Sequence, residues 1–188
     1  MRRGRRHAMI ASVASGGFTL VELMAVVAIM TILGSLAVPA FRDLLLNQRL
    51  AAAANGFVAA LNLARTEAIQ RSQRVHVAAL NGNDWSTGWA VRAGTDAALQ
   101  TVREFEKLPS GVGIDAGLGD GFVLGLDYDS NGFSRRAGSS GFGAGCLTLK
   151  AETGRRASIV VSASGRARVC NPDLKGDCGS GACGKEGQ

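Results

Sequence analysis

From residue 18 to about residue 73 the apolar and polar positions follow the pattern of one long helix that changes character near Phe41. Residues 23–41 are nineteen positions without a charge. The segment 18–41 would extend about 36 Å as a helix, enough to cross the hydrocarbon of a bilayer. Pro39 removes a helix hydrogen bond and crowds the preceding turn, so a bend or a locally melted stretch is expected near residues 35–39, softened by Gly34. Beyond Arg42 the pattern turns amphipathic: Leu50, Ala54, Phe57, Leu61, Ala64 and Ala68 recur three or four residues apart, a stripe that buries against a sheet. Arg49, Asn55, Asn62, Arg65 and Gln70 fall elsewhere on the helix, towards solvent. From Arg74 the texture becomes short alternating segments between glycine-rich turns, which predicts antiparallel strands over 75–80, 85–92, 101–107, 121–127, 146–151, 157–162 and 166–170. Asn81-Gly82-Asn83-Asp84 and Thr153-Gly154 supply hairpin turns. The fold class is α+β: a long N-terminal helix, half transmembrane and half amphipathic, packed on antiparallel sheet structure.

Glu22 stands at the head of the apolar run. An acid within hydrocarbon costs on the order of 2.5 to 3.5 kcal/mol on insertion scales when central, so it calls for a partner. A cut after Gly17 would leave a free α-amine on Phe18, and Glu22 of one subunit could then pair with the Phe18 amine of a neighbour. An ordinary secretory signal is the alternative, with a basic start, an apolar middle and Val38-Pro39-Ala40 as its cleavage site. Glu22 is badly placed for such a signal, and the helical pattern continues past Ala40. A mature chain beginning at Phe18 supports the first reading, one beginning at Phe41 the second.

With 188 residues and one membrane segment, the chain has room for a single soluble domain of about 110 to 130 residues. The formal net charge of +6 becomes +2 once Arg2, Arg3, Arg5 and Arg6 leave with the leader. Those arginines also fit the positive-inside rule. The remaining charge is polarised: residues 18–132 carry 8 basic and 11 acidic side chains, whereas 133–170 carry 7 basic and 1 acidic.

Little points to catalysis. His76, the one histidine left after such a cut, sits between Val75 and Val77 on an alternating strand and takes a core or surface role. No catalytic residue, metal site or cofactor is expected, and the chain is not expected to be an enzyme. Asp127, Asp129, Asn131 and Gly132 match the opening of a calcium loop, but its twelfth position is Gly138 where a bidentate glutamate belongs. An Asp-Ser-Asn-Gly turn accounts for the same residues.

Cys146, Cys170, Cys178 and Cys183 lie in the portion placed outside the cytoplasm, so oxidation is expected. Three pairings are open, with Cys146 to Cys170 and Cys178 to Cys183 preferred. Zinc competes, but spacings of 24, 8 and 5 lack the close cysteine pairs of structural zinc sites. The glycine-rich tail after Asn171 would then be flexible but tethered.

Gly165-Arg166-Ala167-Arg168 follows a predicted strand. Residues two apart on a strand share a face, so Arg166 and Arg168 would project together about 6.6 Å apart, able to grip neighbouring phosphates. Gly165 would let a nucleic-acid backbone come close, and Arg135, Arg136, Lys150, Arg155 and Arg156 would widen the positive surface. The competing reading is that arginines on a late strand guard a sheet edge against aggregation. No aromatic interleaves the arginines, so contacts with DNA would be mainly electrostatic, weakly sequence-selective and salt-sensitive.

Gly17-Phe18-Thr19-Leu20-Val21-Glu22-Leu23 resembles the processing site of type IV pilins and type II secretion pseudopilins. The resemblance implies cleavage after Gly17 by a prepilin peptidase, N-methylation of Phe18 and an assembly role for Glu22. Pilins carry a proline like Pro39, which by resemblance lets the helix unwind as subunits pack. The architecture, together with Leu126-Asp127 through Gly132-Phe133 and the stretch 159–168, is similar to the GspH/FimT branch of minor pilins and pseudopilins. The domains implied are a leader at 1–17, a transmembrane and filament-core helix at 18–41, a soluble pilin-like domain at 42–170 and a cysteine-containing tail at 171–188. The implied setting is the bacterial inner membrane, single-pass with a periplasmic domain, then a pilus or pseudopilus. Its partners would be other pilin subunits, the peptidase and double-stranded DNA, because Gly-Arg-x-Arg resembles the DNA-binding element of FimT-type pilins that serve natural transformation. A structural minor pilin or type II secretion pseudopilin without DNA binding is the alternative.

Overall fold

The computed structural model describes residues 17–94, 98–117, 122, 124–137, 141, 143–179 and 183. The chain divides into two units between Phe41 and Arg42. Helix α1 runs over Leu20–Arg71. It opens on Thr19, whose Oγ1 accepts the Glu22 N–H at 3.2 Å, so Thr19-Leu20-Val21-Glu22 has the residues of a capping box with the acid in the positive first turn. It closes with Ser72 in the left-handed region (φ 50°), Gln73 N–H bonding to Ala68 C=O and Ser72 N–H to Ile69 C=O, the two bonds of a Schellman motif.

In the first unit, none of the apolar window of α1 is buried among the described residues. Its polar side chains bond inward: Thr31 Oγ1 donates to Val27 C=O and Ser35 Oγ to Ile32 C=O, both at 2.7 Å. Hydrocarbon demands such internal satisfaction. The helix is continuous through Pro39, so no melted stretch interrupts it. Proline removes one donor and crowds the preceding turn, yet the helix runs on past it to Arg71.

In the second unit, Leu46, Leu50, Ala54, Phe57, Ala60, Leu61, Ala64 and Ala68 form the buried stripe. Arg65 departs from the expected solvent-facing set, being half-buried beside the Gly132 loop. The strands are β1 (Val75–Asn81), β2 (Asp84–Ala93), β3 (Gln100–Phe105), β4 (Val112–Ile114), β5 (Leu126–Tyr128), β6 (Ser134–Arg136), β7 (Gly145–Ala151), β8 (Arg156–Val161) and β9 (Ala167–Cys170). They form two antiparallel sheets, ordered β3-β2-β1-β5-β6 and β4-β7-β8-β9. Two three-residue strands, β4 and β6, were not anticipated because so short a run shows no alternation. The expected strand at 121–127 is reduced to β5, with residues 121 and 123 outside the described set.

Phe57 fastens α1 to the first sheet by stacking on Trp89 at 3.7 Å between centroids, and Trp89 stacks in turn on Phe105 at 5.5 Å. Leu147, Leu149, Ile159 and Val161 supply the inner face of the second sheet, all fully buried. Both anticipated hairpins form: Asn81 pairs with Asp84 around Gly82 (φ 55°), and Ala151 N–H bonds to Arg155 C=O around Gly154 (φ 87°).

The disulfides are Cys146–Cys183 and Cys170–Cys178, with Cα separations of 5.9 and 5.2 Å. This overturns the preferred pairing of Cys146 with Cys170 and Cys178 with Cys183. Cys146 lies on β7 and Cys170 on β9, with β8 between them. Two strand spacings are about 9.6 Å, beyond the roughly 7 Å that a bridge spans. All four cysteines instead meet in one buried cluster on the outer face of the second sheet. Residues 171–179 are accordingly seated rather than loosely tethered: Asn171 N–H bonds to the Asp177 carboxylate at 2.6 Å, and turns close at Leu174, Asp177 and Gly179.

Candidate nucleic-acid interface

The β8–β9 connection is a tight turn in which Gly165 N–H bonds to Ser162 C=O at 2.8 Å and Ser162 N–H to Arg166 C=O at 3.0 Å. Gly165 takes φ 80°, the left-handed position that such a turn reserves for glycine. It does not open a path for a nucleic-acid backbone. It is buried, and a Cβ there would stand 2.1 Å from the Gly132 carbonyl oxygen and 3.1 Å from the Tyr128 ring. The glycine is needed by the fold of the turn against its neighbour. Tyr128 beneath it is fully buried, and that burial pushes its phenol well above the ordinary range.

Arg166, in the turn just before β9, and Arg168, on β9, are both exposed, with half-buried Ala167 between them. That strand is the edge of its sheet. Arg168 Nη1 donates to the main-chain carbonyl of Asp177 at 2.8 Å. Among the described residues, none pairs with the Arg166 guanidinium. A carbonyl orients Arg168 without cancelling its charge, so both cations remain available to an anion.

The supporting cations do not form one surface. Arg135 and Arg136 lie on β6, which reaches the same turn through Ser134 N–H to Ala163 C=O at 3.2 Å and Ser134 Oγ to Ser162 C=O at 2.7 Å. Arg135 is held by Asp129, its Nε and Nη2 donating at 3.0 and 2.8 Å. Lys150, Arg155 and Arg156 lie at the other end of β8, about 17 Å away at 3.4 Å per residue. Arg156 is clasped by Asp173 and, at 3.5 Å, by Asp115. The Asp173 hydrogen bond, helped by Asp115, raises its pKa above the ordinary arginine value and neutralises it as a phosphate ligand. Lys150 and Arg155 are exposed.

The turn suspected of calcium binding is closed by protein groups. Asp129 Oδ1 accepts the N–H groups of Asn131 and Phe133 at 3.0 Å each, while Oδ2 takes Arg135. Gly138 lies outside the described residues. Burial works to raise the Asp129 pKa, but the Phe133 N–H, Arg135 and the Asn131 N–H outweigh it and hold the carboxyl below its ordinary value. His76 Nδ1 hydrogen-bonds the buried Asp127 carboxylate across β1 and β5, and Arg74 approaches the same group at 3.7 Å. This is a cross-strand clasp, and among the described residues no nucleophile is bonded to it. Among the described residues, no group of three or more metal-ligating side chains converges.

Sequence reasoning missed the partners that decide the character of this face: Gly132 and Tyr128 under Gly165, Asp177 behind Arg168, Asp173 and Asp115 around Arg156. Each is remote in sequence, and no local pattern announces it. At the N-terminus, Gly17 and Phe18 are exposed ahead of α1 and Glu22 lies in its first turn.

A long apolar helix continuing into an amphipathic half, with antiparallel sheets behind it, defines a type IV pilin-like subunit. The family model for type II transport protein GspH matches residues 53–165, and the model for the prokaryotic N-terminal methylation motif matches residues 13–38. The chain belongs to the GspH family, within the type IV pilin and pseudopilin superfamily. Its fold is similar to that of the type IV minor pilin FimU of Pseudomonas aeruginosa in two crystal forms. The first has TM-score 0.55 at 18% identity, over 65% of this chain and 89% of that one. The second has TM-score 0.52 at 19% identity, over 64% and 91%. The minor pseudopilin EpsH from the type 2 secretion system of Vibrio cholerae gives TM-score 0.49 at 16% identity, over 67% and 99%. No curated protein sequence matches the chain. Family membership and the methylation motif imply pilin-subunit partners and prepilin peptidase processing, and they fit inner-membrane anchoring followed by assembly.

Proposed function

We propose that the protein is a minor type IV pilin that enters the pilus through its apolar helix and holds double-stranded DNA on Arg166 and Arg168 for uptake in natural transformation. Cleavage after Gly17 and methylation of Phe18 would precede assembly, with Glu22 answering the Phe18 amine of a neighbouring subunit. One observation carries the DNA reading: Arg166, just before the edge strand, and Arg168 on it are both exposed, and among the described residues neither guanidinium is neutralised by a carboxylate, unlike Arg135 and Arg156. Two phosphate contacts contribute a slope of about −1.8 to the dependence of log affinity on log salt. The test is an electrophoretic mobility shift with the full chain in detergent and an Arg166→Ala, Arg168→Ala double variant. Binding at low salt that is lost in the variant supports the proposal. No binding by the unmutated chain, or undiminished binding by the variant, refutes it.

A second reading is favoured by the Arg168 bond to Asp177. There the arginine latches the disulfide-bonded tail onto β9, and the protein is a structural minor pilin or type II secretion pseudopilin without a DNA role.

A further inference from the structure

The second unit contains a cleft of about 490 Å3 between α1 and the β8–β9 side of the second sheet. Its helical wall includes Leu44, Asn47, Gln48 and Ala51, and Arg155 stands on the opposite wall. The volume lies within the range of small-molecule sites, roughly 300 to 1,000 Å3. We infer that this cleft holds the headgroup of an anionic phospholipid while the subunit is stored in the membrane, an inference that rests on residues 18–41 spanning the bilayer.

The level of the cleft follows from chain connectivity. Arg42 is the first charged residue after the apolar segment and therefore stands at the membrane surface. At 1.5 Å per residue, Leu44 and Asn47 lie within about 3 and 8 Å of Arg42 along the helix, comparable to one headgroup layer. The β7–β8 turn is fixed at the same level by Thr153 Oγ1 donating to Asn47 Oδ1 at 2.8 Å and by the Arg42–Glu152 ion pair at 3.2 Å. Arg49 adds a bond to Ser110 C=O.

The chemistry suits a phosphate diester. Arg155 is exposed, and no group among the described residues pairs with its guanidinium. Its neighbour Arg156 is committed to Asp173 and Asp115. The Asn47 amide nitrogen and the Gln48 side chain also have no partner among the described residues and can meet glycerol hydroxyls. Exposed Leu44, on the same wall, offers apolar contact beside them, as a glycerol backbone at the hydrocarbon boundary requires. Two acids stand nearby: Asp177 at the cleft, its carboxylate occupied by the Asn171 N–H, and Asp43 on the exposed helix surface. The charged residues lining the cleft are Arg155, Arg156 and Asp177. With Arg156 engaged by Asp173 and Asp115 and Asp177 by the Asn171 N–H, the charge left open among the described lining residues is that of Arg155, which favours an anionic over a zwitterionic lipid.

The test is native mass spectrometry of the full, disulfide-intact chain in detergent, titrated with phosphatidylglycerol or phosphatidylcholine. Preferential retention of one phosphatidylglycerol is expected, weakened about tenfold by Arg155→Gln, as losing one charge-assisted contact would do. Lys107→Gln, on the exposed β3 side, should leave retention unchanged. Equal retention of the two lipids, or undiminished retention by Arg155→Gln, overturns the inference. Flotation of the full chain with mixed phosphatidylethanolamine and phosphatidylglycerol vesicles checks the membrane reading separately. A chain that floats yet shows no preference removes the cleft site alone, and one that does not float removes both.

Discussion

Replacing Gly165 by alanine tests whether the glycine of the Gly-Arg-x-Arg motif belongs to the fold or to a ligand. Its φ of 80° places an alanine in the left-handed region, at about 1 to 2 kcal/mol. The new methyl would lie 2.1 Å from the Gly132 carbonyl oxygen. Gly132 cannot retreat freely, because it has φ 77° and lies tight against the Ile69 and Arg65 side chains. Forcing a methyl into such packing costs about 1 to 3 kcal/mol more. The expected total is about 2 to 5 kcal/mol, a fall in Tm of roughly 5 to 15 °C for a unit of this size. Gly154→Ala provides the control, since Gly154 has a similar φ of 87° but nothing within 4 Å of its would-be Cβ. It should lose only the conformational part. Unfolding followed through the fluorescence of buried Trp85 and Trp89 reports the second unit specifically. Equal Tm values for the two variants would refute the packing role assigned to Gly165.

Peptide mapping without reduction should recover Cys146 linked to Cys183 and Cys170 linked to Cys178; recovery of Cys146 with Cys170 contradicts the strand order. Removing the Cys146–Cys183 bridge, which closes the longer loop, should cost about 2 to 5 kcal/mol and exceed the loss from removing Cys170–Cys178, as chemical denaturation can measure. Glu22→Ala should leave the chain in the membrane but exclude it from fibres, and normal incorporation would remove the amine pairing from consideration. Asp129 has a folded-state pKa below the unfolded value of about 3.9, so its stabilisation is complete above that value and disappears as pH falls through the lower folded-state pKa. Asp129→Asn should therefore reduce stability at neutral pH and flatten the acid limb of the stability curve; an unchanged acid limb contradicts the assigned contacts.

The legible parts of this chain were those written in local periodicity. Nineteen uncharged positions after Glu22, a three-to-four stripe from Leu50 to Ala68 and alternating runs such as Val75-His76-Val77 each state their structure within a dozen residues. Thr19-Leu20-Val21-Glu22 is a cap written just as locally, a threonine followed three residues later by the acid. The disulfide pairing was not legible, because it depends on β8 entering between β7 and β9, and sequence spacing says nothing of strand order. The role of Gly165 failed for the same reason. Its constraint comes from Gly132, and those two residues meet only after the sheets have formed.

Charge shows most clearly how topology edits composition. A segment of net +6 suggests one basic surface, but β8 carries its cations to two ends and recruits acids from elsewhere to silence some of them. Asp129 takes Arg135, and Asp173 with Asp115 takes Arg156. Among the described residues, Arg166 with Arg168 at one end and Lys150 with Arg155 at the other have no carboxylate partner. Groups separated by more than about 10 Å with no shared partner act independently, and these pairs are about 17 Å apart along β8. A phosphate met at the headgroup level and a phosphate met at the β8–β9 turn would therefore engage different cations, so the subunit need not surrender one contact to make the other.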